Sequence, residues 1–138
     1  TTASRADHVH PYEDTGWQPA AHFLAPGWVE AEPQVAPVQM RIIDDREVLV
    51  RGLVTGVAVS GMVTVLDPDP LLHPNGQAML SAARLSIVAG EVVGGVPVVA
   101  AMLDAELVLV DDADDADAVY LVDGRWLAVS PQMPEGMV

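Results

Sequence analysis

The chain has 138 residues, enough for one domain with a real core, and 51% of them are hydrophobic. Six Lys and Arg stand against 20 Asp and Glu, a formal net charge of -14, and a surface so acidic repels phosphate backbones, which argues against nucleic acid as a partner. Cysteine is absent, which removes disulfides and thiolate metal sites, and no apolar run reaches the roughly 18 to 20 residues of a membrane helix.

Residues 1–16 are polar and aperiodic, and are expected to form an extended connector, with the domain proper spanning 17–138. They contain no apolar signal-peptide core and read as a start inside a longer chain or as a leader from an upstream segment. From Trp17 to Pro37 the density of proline excludes a helix and allows only a short strand, over Trp28 to Ala31. The pattern then changes. Val38, Met40 and Ile42 alternate with Gln39, Arg41 and Ile43, Asp44-Asp45 marks a tight turn, and Val48, Val50 and Gly52 alternate with Glu47, Leu49 and Arg51. Alternation of period two on both sides of a turn predicts a β-hairpin.

A further strand is expected over Met62 to Leu66, ended by a loop that carries Pro68, Pro70 and Pro74. The segment QAMLSAARLSIVAG mixes helix-favouring Ala, Met and Leu with a β-branched end at Ser86-Ile87-Val88, and its context favours a strand. One or two strands follow in EVVGGVPVVAAMLDAELVLVDD. AVYLVDGRWLAVS reads as a last hairpin with Asp123-Gly124 as its two-residue turn. About eight short strands punctuated by Gly, Pro and Asp, with a core of Val and Ala rather than aromatics, predict an all-β fold. An antiparallel β-sandwich or jelly-roll-like domain is expected.

Trp17, Gly27-Trp28, Val38-Gln39-Met40-Arg41, the run Val48 to Val54 with its Arg51-Gly52, and Gly56 come in an order that resembles the opening of β-sandwich head domains of phage tail fibre and receptor-binding proteins. The likeness covers about residues 8–66. Its next loop keeps Leu66, Pro68 and Pro70 of the family pattern and lacks the aromatic and basic residues found there. The resemblance implies a non-enzymatic virion protein of the minor tail protein type. It would be a homotrimeric tail fibre or tail-tip domain that joins other tail or virion proteins and binds a host cell-surface glycan or protein, without membrane insertion. Three weak sites on one rigid trimer would then act through avidity. The alternatives are a capsid-surface fibre, decoration or baseplate protein and, further off, a glycan-cleaving tail enzyme.

His8 and His10 stand one residue apart, so in an extended chain both imidazoles point to one side. A single pair is half a metal site. Such pairs are similar to those of fibrous phage tail proteins, which implies that three parallel chains place six imidazoles around one transition metal, Fe, Ni or Zn, on the trimer axis. Otherwise the two are ordinary connector histidines. His22 and His73 read as loop histidines, and the acidic run Asp111 to Ala118 as a solvated loop, because it lacks the glycine and spaced glutamate of a calcium loop. Asp67 and Asp69 could act on glycans, although proline-rich punctuation explains them more simply. Ser60, Ser81, Ser86 and Ser130 have no nucleophile context. Trp17, Trp28 and Trp126 are expected to pack the core or a subunit contact, whereas an exposed Trp or Tyr120 would be the natural surface for stacking on sugar rings; the receptor-contacting residues are unknown from the sequence.

Overall fold

Nine antiparallel strands are formed by the described residues of the computed structural model, which are 14–44, 46–68, 70–76, 78–129 and 131–132. They are β1 (Gln18–Pro19), β2 (Val29–Glu30), β3 (Gln39–Ile43), β4 (Glu47–Thr55), β5 (Ser60–Leu66), β6 (Ala78–Val88), β7 (Glu91–Leu103), β8 (Glu106–Asp112) and β9 (Val119–Leu127). The remaining regular structure of the described residues is two single 3-10 turns, at Ala21–Phe23 and Pro70–Leu72. The fold is all-β, as the patterning predicted.

The strands make one sheet in the order β1-β3-β4-β9-β6-β7-β8-β5, with β2 also on β4. This sheet curls so that β3, β4 and β9 face β5 and β8 across the core. The proline-rich segment joins its two ends. β1 pairs with β3 at one end, while Leu24 bridges Leu66 of β5 at the other, supported by Ala25 N–H to Val65 O at 2.8 Å and Asp67 N–H to Phe23 O at 2.9 Å. Prolines that could not serve in a central strand thus serve in the strap that folds the sheet over.

The inner face is built from Met40, Ile42, Val48, Val50 and Val54 against Val65, Leu107, Leu109 and Ala100, with Tyr120, Val122 and Trp126 from β9 between them. Buried indoles need acceptors. Trp126 Nε1 donates to Leu72 O at 2.8 Å and Trp28 Nε1 to Thr64 O at 2.9 Å, so Trp28 and Trp126 pack the core as expected and also tie it to its covering loops.

Two elements differ from the sequence reading. Asp123-Gly124 is not a turn: it lies in the middle of β9, where Gly124 pairs with Val50 and Asp123 with both Arg51 and Ser81. The glycine answers to packing, since a Cβ on it would lie 2.6 Å from Leu80 Cδ2. Asp111 and Asp112 of the acidic run belong to β8, and only the residues after them are loop.

The tight two-residue turns occur instead at Ala89-Gly90 and Asp104-Ala105, where both central residues have positive φ, as a type I′ turn requires. Ala105, at φ 67°, pays for its Cβ in this left-handed region. Ala105→Gly is therefore expected to raise unfolding free energy by about 1 kcal/mol, read from the urea midpoint at unchanged slope.

Candidate functional site

Side chains that point outward from the central strands line up across the sheet. Register places Gln39 of β3 beside Arg51 of β4, Arg51 beside Asp123 of β9, and Asp123 beside Ser81 of β6. Amide, guanidinium, carboxylate and hydroxyl thus form one polar row over four strands, because opposite residues on one face of a sheet sit about 5 Å apart.

The row is held in shape. Arg51 donates through Nε and Nη2 to Gln39 Oε1, at 3.2 and 3.0 Å, and its guanidinium lies 3.9 Å from the centre of the Trp17 ring. A guanidinium over a Trp face is attracted by the ring quadrupole, even at an exposed site. Arg41 packs 5.8 Å from the same ring and is clamped by both carboxylate oxygens of Asp14. That clamp, with the Gly16 N–H on Oδ1, lowers the Asp14 pKa to about 2, and Asp14 in turn raises that of Arg41. Trp17 thus lies outside the core, against two guanidinium groups on the outer side of the sheet.

Asp123 is exposed and has no ion pair among the described residues. It lies on the wall of two recesses. One, of about 430 Å³, is lined by Leu49, Met79, Leu80, Ser81, Gly124 and Arg125. It opens where the pairing of β6 with β9 stops at Ser81–Asp123 although both strands continue. The other, of about 320 Å³, lies between Val35, Ala36 and Pro37 and the side chains of Gln39, Arg51 and Leu121. Shallow recesses around a fixed row of donors and acceptors can take a polyhydroxylated ligand without any bond being made or broken.

The other predicted residues fall elsewhere. His8 and His10 lie outside the described residues, as do Asp69 and Ser130. His22 is exposed beside Phe23, with ring centres 4.2 Å apart, and His73 Nε2 meets Pro68 O at 3.1 Å. Asp67 shares a recess of about 410 Å³ with His22 and Glu106, where the Glu106 carboxylate accepts the Thr64 hydroxyl at 2.8 Å. No group of three or more His, Asp or Glu able to hold a metal occurs among the described residues, and no helix there is long and apolar enough to cross a membrane.

A second polar group closes one end of the core. Asp111 Oδ2 accepts from Arg84 Nη1 at 2.8 Å and from the Tyr120 hydroxyl at 2.7 Å, joining β8, β6 and β9. Burial raises the Tyr120 pKa, and Asp111 raises it further, to about 12. Burial opposes ionisation of Asp111, yet the Tyr120 hydroxyl, the Asp112 N–H and Arg84 together hold its carboxyl below the usual range. This group uses its hydrogen-bonding capacity internally and is structural.

The architecture is all-β: a curled antiparallel sheet with a polar row on its outer face. It is similar to the crystal structure of the receptor binding protein, gp15, of Listeria phage PSA, with a TM-score of 0.50 and 18% identity, over 84% of this chain and 64% of that one. The chain thus spans less than two thirds of the length of that protein. No family model matches the sequence, and no curated protein matches it.

Proposed function

We propose that this chain is a receptor-binding head of a phage tail, acting in adhesion and not in catalysis, and that it engages a carbohydrate of the host surface through the row Gln39, Arg51, Asp123 and Ser81. The observation that carries this reading is the row itself: four hydrogen-bonding side chains of different type, set side by side by register, with Arg51 held on Gln39 and the Trp17 ring, between two open recesses. The fold likeness to a phage receptor binding protein supports it.

Glycan-array binding of the purified protein, followed by adsorption to cells bearing the glycan found, tests the reading. Asp123→Ala and Arg51→Ala are each expected to weaken binding about tenfold, the loss of one or two hydrogen bonds to a charged group. Melting should stay within about 0.5 kcal/mol of the parent for Asp123→Ala, because the residue is exposed. Equal binding by both variants, or no binding to any glycan, would remove the row from the function.

The homotrimer belongs to the same proposal, with its three heads adding avidity. So does a shared ion: His8 and His10 from three parallel chains would bring six neutral imidazoles to the axis. Elemental analysis should then give about one transition metal per three chains, and His8→Ala should abolish it. A metal-free trimer would end the metal reading and leave the adhesion reading intact.

A further inference from the structure

The hairpin of β6 and β7 outgrows the rest of the sheet. Pairing of β6 with β9 covers Ser81 to Leu85, and pairing of β7 with β8 covers Val99 to Leu103. Beyond those limits Ser86–Val88 pair only with Glu91–Gly94, and the other edge of β7 from Glu91 to Val98 is unpaired among the described residues. A two-stranded ribbon is marginal in water without a covered face. This one is apolar on both sides: Ile87, Val88, Val92, Val93 and Val96 are 45 to 63% exposed. The turn at its tip is well formed, with Ala89 and Gly90 at φ 53° and 82°.

The same apolar character continues onto the outer face of the sheet through Val99 and Val110, exposed by 51 and 39%. Seven aliphatic side chains about half exposed amount to on the order of 400 Å² of carbon surface over the two faces, the size of patch that on a monomer is often functional. With an ordinary polar share that approaches the roughly 800 Å² per partner of a stable interface.

Charge selects the occupant. Residues 85–103 contain one ionisable group, Glu91, in a chain of net charge -14. Two copies repel each other over the rest of their surface, and this ribbon is where they can approach without bringing carboxylates together. A ribbon bare on both faces also needs cover on both, which one small ligand does not give and packing against further copies in a closed assembly does.

We infer that the β6–β7 ribbon and the apolar face behind it form the contact between copies of this chain. The inference builds on the oligomeric head of the proposed function, adding the surface through which the copies meet. Glu91 to Val98 would supply the unpaired edge that such a contact covers, with Pro97 on it, where a strand tolerates proline.

The test is light-scattering mass of the parent and of the double variant Val92→Glu, Val93→Glu, joined to amide hydrogen exchange. The parent should be a multimer at about 10 µM and the variant a single copy with the near-ultraviolet spectrum of the folded parent. Exchange protection of Glu91–Val98 should fall on dilution of the parent, which also decides the matter if the variant does not fold. A single-copy parent, a folded variant that stays a multimer, or ribbon protection that ignores dilution would each overturn the inference. A single-copy parent whose variant loses cell adsorption would give the face to a host partner. Glycan binding by single heads tests the carbohydrate row separately, so each proposal can fail without the other.

Discussion

Gly52→Ala is expected to destabilise the protein by at least about 3 kcal/mol, lowering the melting temperature by roughly 10 °C for a domain of this size. Gly52 lies in the middle of β4 with φ at +152°, a conformation that side chains rarely adopt. A Cβ there would be 2.7 Å from Val38 Cα, 2.9 Å from Val38 Cγ2 and 3.0 Å from Pro37 O. The first and last are backbone atoms, and they cannot swing aside. Val38 is held by its N–H to Glu30 Oε2 at 2.7 Å and by its carbonyl, which accepts Ala20 N–H at 2.9 Å. Relief of the clash must therefore move the strap from Ala20 to Val38 that closes the sheet. Gly94→Ala is the control: no atom lies within 4 Å of its added Cβ, so the change should stay within about 0.5 kcal/mol. Urea unfolding of both variants checks the contrast, and a cost below about 1 kcal/mol for Gly52→Ala would show that the strap yields. Because Gly52 also lines the recess beside Arg51, the proposed glycan binding should weaken with stability.

The hairpin of β3 and β4 was legible because its alternation is strict and one face is buried throughout, at Met40, Ile42, Val48 and Val50. Segment 78–88 was legible as a strand only from context, since its Ala, Met and Leu favour helix and sheet pairing on both edges overrides that preference. β9 was misread for a physical reason. Asp-Gly is the strongest short hairpin signal, but Gly124 meets a different demand, space for Leu80. The real I′ turns use Ala89-Gly90 and Asp104-Ala105, where alanine at positive φ gives no signal to read. The polar row was hidden for another reason: Gln39, Arg51, Ser81 and Asp123 are distant in sequence, and only register brings them side by side. Arg51 stood in a recognised motif, but its outward direction and its stack on Trp17 depend on the strap fold. Asp111 was masked by its neighbours. Five carboxylates in seven residues look alike until the strand boundary separates the one that faces Arg84 and Tyr120 from those in the loop.

Asp111→Ala is expected to cost about 3 kcal/mol, because it strands two groups at once. The Tyr120 hydroxyl is buried and has Asp111 Oδ2 as its acceptor, and Arg84 would keep a partly buried charge without its ion pair. Tyr120→Phe removes donor and demand together and should cost only about 1 kcal/mol. In the double variant the hydroxyl is no longer left without an acceptor, so the combined loss should fall short of the sum by about 1 kcal/mol. The two groups also set opposite limits in pH. The Asp111 carboxyl is lowered in the folded state, so its contribution is present above the unfolded value near 4 and is lost as pH falls through the folded one. The Tyr120 pKa is raised to about 12, so its contribution is full below the unfolded value near 10 and is lost as pH rises through 12. The parent should therefore lose stability between pH 10 and 12, on the order of 2 kcal/mol, and Tyr120→Phe should lack that increment. Urea midpoints at pH 9 and near 11.5 measure it directly. The same alkaline slope in both proteins would mean that Tyr120 ionises as freely folded as unfolded, and that the closure of the core by Asp111 is weaker than its two short hydrogen bonds imply.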